Sequence, residues 1–239
     1  MSETLASLLL SSPTDRDMQR KIGPSTIGSP CKKCIAEALK GTFVETEQKR
    51  QRYWAGAAIG TAVHLYLEER APLFIPELIT ERKVTIGELK GYGWISGTAD
   101  GVLPPDVPFY PVDKWTMLDW KTTQREKLTW IRQAALFPPE AGENAKLKEA
   151  RFKLESYFGQ THLYAYGMVQ AGVPVESILI SFIARDAKTE EDFFEVSLDY
   201  DEEYALAVWD RLVYIWKHLD KKEFEGHPSC FTHGKETRT

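Results

Sequence analysis

Apolar positions along this chain recur in two rhythms. From about Glu45 to Arg70 the spacing is helical, with Ala57, Ala58, Ala62, Val63, Leu65 and Leu67 supplying an apolar face and small residues around Gly60 permitting close packing. A change of period follows. Leu78–Ile86 alternates, Tyr92–Val102 is rich in Gly, Trp, Ile and Thr, and Trp115–Trp120 is largely apolar, so all three read as strands. Pro104-Pro105-Asp106-Val107-Pro108 makes a turn at a hairpin tip, and three strands parted by turns argue for a meander. Phe152–Gln170 predicts a helix stopped by Gly172 and Pro174. Ser177–Ala184 reads as a buried strand, Phe193–Leu198 as another, and Tyr200–Phe224 as a long amphipathic helix.

The ends and one internal stretch read less regularly. Gly23–Pro30 is a turn-rich entry in which Ser25 or Ser29 is available to cap a helix holding Cys31 to Leu39. Pro138, Pro139 and Gly142 interrupt residues 124–150, which predicts an insertion beside the core. The whole pattern predicts an α/β domain, a mixed, twisted central sheet flanked by helices with an N-terminal helical region. Residues 1–22 are expected to form an arm, 23–235 a single domain, and 236–239 a tail.

With 239 residues, 43% of them hydrophobic and 27% charged, the chain has the size and balance of a globular domain able to bury a sizeable interior. No apolar run approaches the roughly 20 residues of a membrane span. Met1–Leu10 carries Glu3 in place of a basic n-region, so the expectation is a cytoplasmic protein without a secretory signal or a membrane partner. A formal charge of −5 does not advertise a nucleic-acid partner, although acidic groups gathered around a metal coexist with a local basic groove. Three cysteines argue against a disulfide framework and for metal or redox chemistry.

Candidate chemistry concentrates in Trp115-Thr-Met-Leu-Asp119-Trp-Lys121-Thr-Thr. On a strand Asp119 and Lys121 project to the same side. A carboxylate beside an ammonium at the end of an apolar strand suits metal-assisted phosphodiester hydrolysis, the carboxylate holding a hard cation and the lysine steering or deprotonating the attacking water. His64 lies on the early helix, Asp100 ends the preceding strand, and Gln160 and Tyr164 share one face of a later helix. Asp100 and Asp119 supply anionic oxygen suited to Mg²⁺ or Mn²⁺, His64 shifts the preference toward Mn²⁺, and the backbone carbonyl of Trp120 offers a further oxygen. Each residue also has a plainer reading: a hydrogen-bonded core histidine, a turn aspartate, an edge-strand ion pair, a helix face laid on the sheet. What favours the chemical reading is that the four pieces stand in order on the right element types.

That order resembles the RecB-like exonuclease branch of the PD-(D/E)XK nuclease superfamily, which includes CRISPR-associated and phage exonucleases, over roughly residues 22–235. The resemblance implies a restriction-endonuclease-like core and a divalent-metal-dependent DNA exonuclease. His64, Asp100 and Asp119 would be metal ligands, Lys121 the catalytic lysine, and Gln160 and Tyr164 the helix motif that supports the site and touches DNA. Glu81 resembles an acidic position on the preceding strand. By the same resemblance the expected setting is recombination, repair or end-processing, in a host cytoplasm if the chain is phage-encoded, with a recombinase or single-strand annealing protein as a possible partner. A structure-specific endonuclease and a non-catalytic DNA-binding module are the alternatives.

Cys31-Lys-Lys-Cys34 and Cys230-Phe-Thr-His233 together offer three thiolates and an imidazole, a tetrahedral zinc set, with His227 as a substitute ligand. Many members of the resembled branch carry a 4Fe–4S cluster on one early and three late cysteines; the distribution here departs from that pattern and favours zinc. The alternative is that Cys31 and Cys34 are plain thiols at a helix start. Lys49, Arg50 and Arg52 beside Tyr53 and Trp54, and Lys127, Trp130 and Arg132, mix basic and aromatic groups as DNA contacts do, or else are solvated helix faces.

Overall fold

The computed structural model describes residues 22–42, 47–107, 110, 112–230 and 233, with backbone alone for 47–55. The expected tail, and the expected arm apart from Ile22, lie outside the described residues.

A five-stranded sheet forms the centre, in the order β1 (Ile79–Leu89), β2 (Gly93–Leu103), β3 (Thr116–Thr123), β4 (Ser177–Ala184) and β5 (Phe193–Asp199). The first three strands are the antiparallel meander that the turn signals predict. β4 then pairs parallel to β3, and β5 closes the sheet antiparallel to β4. β3 and β4 are the central strands and almost wholly buried; β4 is a nearly continuous apolar run, whereas β3 carries Asp119 and Lys121 into that interior. β5 is an edge and mostly exposed.

The helices are α1 (Pro24–Ile27), α2 (Lys32–Lys40), α3 (Glu47–Phe74), α4 (Arg125–Leu136), α5 (Ala145–Gln170) and α6 (Glu202–Lys217). A parallel β3–β4 pair needs a crossover, and α4 with α5 supplies it. Residues 124–150, expected as an insertion beside the core, form α4 and the first turns of α5. Leu128, Ile131 and Ala134 pack there with Leu147, Ala150 and Leu154 against Ile180, Phe182 and Ala184 of β4. The prolines that break the helical pattern make only the loop between them. Arg151 closes that loop, donating to the carbonyls of Ala134, Phe137 and Pro138 and to Glu143. α5 starts at Ala145 because the Asn144 side chain caps it, accepting from Leu147 N at 2.9 Å.

α3 lies against the other face of the sheet, where Leu67 and Ala71 meet a cluster of Ile75, Leu78, Leu103, Leu118, Trp120 and Leu179. The packed stripe of α3 is not the one the apolar spacing suggests: Ala57, Ala58, Ala62 and Leu65 are exposed. Gly60, His64, Leu67 and Ala71, at steps of four, three and four, face inward instead. Gly60 sets how closely the helix approaches, since a Cβ there would stand 3.0 Å from Thr122 Oγ1.

Candidate active site and cysteine cluster

β2 and β3 stay paired only from Leu103↔Thr116 through Gly101↔Leu118. The next pair would be Asp100 with Asp119, and the ladder ends one step short of it. In place of a ladder carbonyl, the Asp100 carboxylate takes the next free amide, with Trp120 N donating to Oδ2 at 2.8 Å. The sheet is therefore open where the two acidic residues stand. His64, coming from α3 with its ring edge-on to Trp120 at 6.2 Å, meets Asp100 there, Nδ1 to Oδ1 3.5 Å.

Asp119 is 1% exposed, and Lys121 reaches the same side of β3 as the two-residue period requires. Its ammonium lies 2.8 Å from Oδ1 and 2.7 Å from Oδ2, but only Oδ1 receives an aligned N–H, and Oδ2 is a buried oxygen without a hydrogen bond. Gln160 Nε2 adds a longer contact to Oδ1 at 3.4 Å. Burial pushes the Asp119 carboxyl up to about 6, with Lys121 opposing and Asp100 adding to the rise. Burial also pushes Asp100 upward, yet the His64 hydrogen bond, the Lys121 charge and the Trp120 amide outweigh it, and its carboxyl stays below the usual range. Lys121 loses solvation by burial, but the carboxylates of Asp119 and Asp100 more than restore its charge and hold its pKa above the ordinary lysine value. The Tyr164 phenol is raised by burial and then by the charges of Asp119 and Asp100.

Structure thus brings His64, Asp100, Asp119, Lys121, Gln160 and Tyr164 into one neighbourhood. Glu81 joins them: it falls between the pairs Thr80↔Gly101 and Arg82↔Ala99, opposite Asp100, and its charge is felt at Tyr164. Its φ of +48° is a conformation that non-glycine residues seldom adopt, the kind of local strain that collects at functional sites. Tyr157, which sequence reasoning does not single out, places its ring 5.1 Å from the Lys121 ammonium. The signal was present, because Tyr157, Gln160 and Tyr164 recur at three and four residues along α5. Arg185 was missed as well. It follows β4 directly, its amide donates to Thr123 O at 2.8 Å, and its guanidinium abuts Gly56 of α3.

The predicted basic contacts separate. The side chains of Lys49, Arg50 and Arg52 lie outside the described residues, although their backbone forms part of the first turns of α3. Lys127 is exposed; partial burial, and then repulsion from Lys153 and Arg185 among others, lower its pKa, so these cations are neighbours. Trp130 is half-buried with Lys146 over its ring at 5.7 Å. Arg132 spends Nη2 on Glu191 O at 2.6 Å and Phe193 O at 3.3 Å, with its guanidinium 5.4 Å from the Phe194 ring.

Cys31, Cys34, Cys230 and His233 converge from the two ends of the described chain, one donor atom of each lying within 4.8 Å of the others. His233 Nδ1 stands 3.5 Å from Cys31 Sγ, 3.3 Å from Cys34 Sγ and 3.8 Å from Cys230 Sγ, and the Cys34 and Cys230 sulfurs are 3.4 Å apart. Contact with Cys230 and Cys31, together with burial, drives the Cys34 thiol far upward, so this crowding favours neutral sulfur when no cation is bound. Such a set can bind a metal such as zinc. His227 offers its backbone: its amide donates to Cys31 Sγ at 3.4 Å, while its Nδ1 accepts from Ser229 N. Neither Ser25 nor Ser29 caps the helix expected to hold Cys31 to Leu39: it starts at Lys32 with Cys31 at the N-cap, and Ser29 Oγ accepts from Cys31 N at 3.2 Å.

No protein-family model matches this chain, and no curated protein matches it in sequence. Among solved structures, a protein titled SSO0001 is 15% identical with a TM-score of 0.49, covering 90% of this chain and 88% of its own. LHK-Exo, solved in complex with dAMP, is 12% identical with a TM-score of 0.43, covering 90% of this chain and 85% of its own. Among the described residues no helix is long and apolar enough to cross a membrane.

Proposed function

We propose that this protein is a divalent-metal-dependent deoxyribonuclease that hydrolyses DNA phosphodiesters from an end. One observation carries the reading: the β2–β3 ladder stops where Asp100 and Asp119 would pair, and His64 and Lys121 converge on that opening. The donor set fits a hard cation. Asp119 Oδ2 is a buried carboxylate oxygen without a hydrogen bond, 2.7 Å from the Lys121 ammonium, and Asp100 Oδ1 and His64 Nδ1 lie 3.5 Å apart where the ladder opens, with the Trp120 carbonyl on the same stretch of strand. Mg²⁺ or Mn²⁺ held there would polarise the phosphate and lower the pKa of a bound water.

The chain's own groups do the rest. Lys121, held charged by the two carboxylates, offsets the negative charge that develops on the phosphoryl oxygens and orients the attacking water. Gln160 steadies Asp119 from α5 and offers its amide toward the DNA backbone, while Tyr164, buried with its hydroxyl against Gly97, supports the site from beneath. Tyr157 walls the Lys121 ammonium with a ring face. We propose recombination, repair or end-processing as its setting, with a recombinase or single-strand annealing protein as the partner to look for.

End-labelled linear DNA with Mg²⁺, Mn²⁺ or a chelator tests the proposal. Mononucleotide release that the chelator stops is the expected result; no cleavage under any metal overturns it. A closed circular substrate should survive intact, and its cutting would replace the exonuclease with an endonuclease on the same site.

A further inference from the structure

From the cysteine cluster we infer that Cys31, Cys34, Cys230 and His233 hold a single zinc ion, and that this ion fastens α1 beneath the helix carrying Gln160 and Tyr164. At zinc–sulfur and zinc–nitrogen distances of about 2.3 and 2.0–2.1 Å, tetrahedral ligands stand about 3.8 Å apart sulfur to sulfur and about 3.6 Å sulfur to nitrogen. The observed 3.4 Å between Cys34 and Cys230, and 3.3 to 3.8 Å from each sulfur to His233 Nδ1, have that scale. An iron–sulfur cubane is a poor fit. It asks for four thiolates, each on its own iron, and therefore spreads its ligand atoms more widely than one ion does; here there are three sulfurs, and all four donors lie within 4.8 Å.

The surroundings are those of a metal site. The Glu37 carboxylate lies 3.0 and 3.1 Å from His233 Nε2, which orients the ring and leaves Nδ1 facing the sulfurs. The His227 amide donates to Cys31 Sγ. Gly226 lets the chain pass, since a Cβ there would collide with His233.

The link to α1 is short. Cys31 is three residues beyond Gly28, and Gly28 abuts α5 so closely that a Cβ there would be 2.5 Å from Gln160 N and Ser156 O. Gly159 meets Gly28 from the other side, a Cβ at that position falling 2.8 Å from Gly28 O. Pro24 and the Tyr164 hydroxyl both crowd Gly97, at 2.9 and 2.8 Å from where its Cβ would be. Arg211 of α6 donates to Ile27 O at 3.0 Å and to Gly28 O at 3.3 Å. α1 has only four residues and makes no helix by itself. It stays in place because both flanks are held, one by these packed contacts and one by the ion that joins Cys31 and Cys34 to Cys230 and His233.

The test uses the full chain and reads metal and backbone, not cleavage, so its outcome is independent of the nuclease reading. Protein purified without added metal should contain one zinc per chain by elemental analysis and show no visible iron–sulfur absorbance. His233→Cys should keep the zinc, and His233→Ala should lose most of it. Replacement by Co²⁺ in the unaltered chain should give the intense charge-transfer bands of thiolate ligation. After chelation, amides of 25–28 should exchange hydrogen more than tenfold faster while those of β3 and β4 do not change. Stoichiometric iron, or no metal, overturns the zinc site. Unchanged exchange at 25–28, or faster exchange throughout the sheet, overturns the fastening of α1.

Discussion

Asp119 and Lys121 were legible as a pair because a strand has a fixed two-residue period, and nothing tertiary is needed to put them on one side. Their meeting with His64 and Asp100 was not legible from local pattern, since it depends on where the β2–β3 ladder stops. Neither the strained backbone of Glu81 nor the place of Arg185 against Gly56 leaves a trace in spacing or composition. At this scale the sharpest prediction concerns charge without shape. Asp119→Asn keeps the volume and removes the anion, and Lys121→Met keeps most of the stem and removes the cation. Each should lower cleavage of linear DNA by at least ~10²-fold, the size typical of removing one preorganised electrostatic group. Circular dichroism should show both variants folded. A variant with wild-type turnover would remove its residue from the proposed machinery.

Elements differ, for physical reasons, in how much of them local pattern determines. β4 was found end to end because a continuous apolar run bounded by turn residues has few other fates. Apolar spacing points to the wrong face of α3 because alanines ring that helix, and only the sheet decides which of them is covered. The Pro138-Pro139 break suggested an insertion because sequence shows a loop but not the Arg151 side chain that ties it shut. Asn144→Ala should cost about 1 kcal/mol in denaturant unfolding by removing the cap of α5. Gly159→Ala should cost more, about 1–3 kcal/mol, since the added carbon meets Gly28 backbone on which no side chain can give way.

Acid sensitivity also belongs to this scale. The Asp192 carboxylate is held below the usual range first by the Lys188 amide, then by Arg125 and the Thr189 amide, and it ties the start of α4 to the turn before β5. A depressed folded value means that its stabilisation is present above the unfolded aspartate value and is lost as pH falls through the folded one. Asp192→Asn should therefore be less stable than the parent near pH 6, with the gap in melting temperature closing toward pH 3. A gap that stays constant would show that the charge is not what matters.

For the whole molecule, a formal charge of −5 means that any grip on DNA must come from a local group of cations set against a repulsive background. Sequence offered Lys127, Trp130 and Arg132 as one such group, and the structure divides them. Lys127 is exposed and shares a neighbourhood with Arg185 and Lys153, whereas Arg132 is committed to the carbonyls of Glu191 and Phe193. Two cations five residues apart in sequence should therefore respond differently when each is replaced. Each phosphate contact contributes a slope of about −0.9 to the logarithm of DNA affinity against the logarithm of salt concentration. Lys127→Ala should weaken DNA binding and make that slope shallower by about one, while leaving thermal stability close to the parent's. Arg132→Ala should leave the slope unchanged and lower the melting temperature, because it unpins α4 from the start of β5. Titrations of a labelled duplex at several salt concentrations, beside a melting curve for each variant, separate the two outcomes. A shallower slope for Arg132→Ala, or none for Lys127→Ala, would place the DNA track elsewhere on the surface.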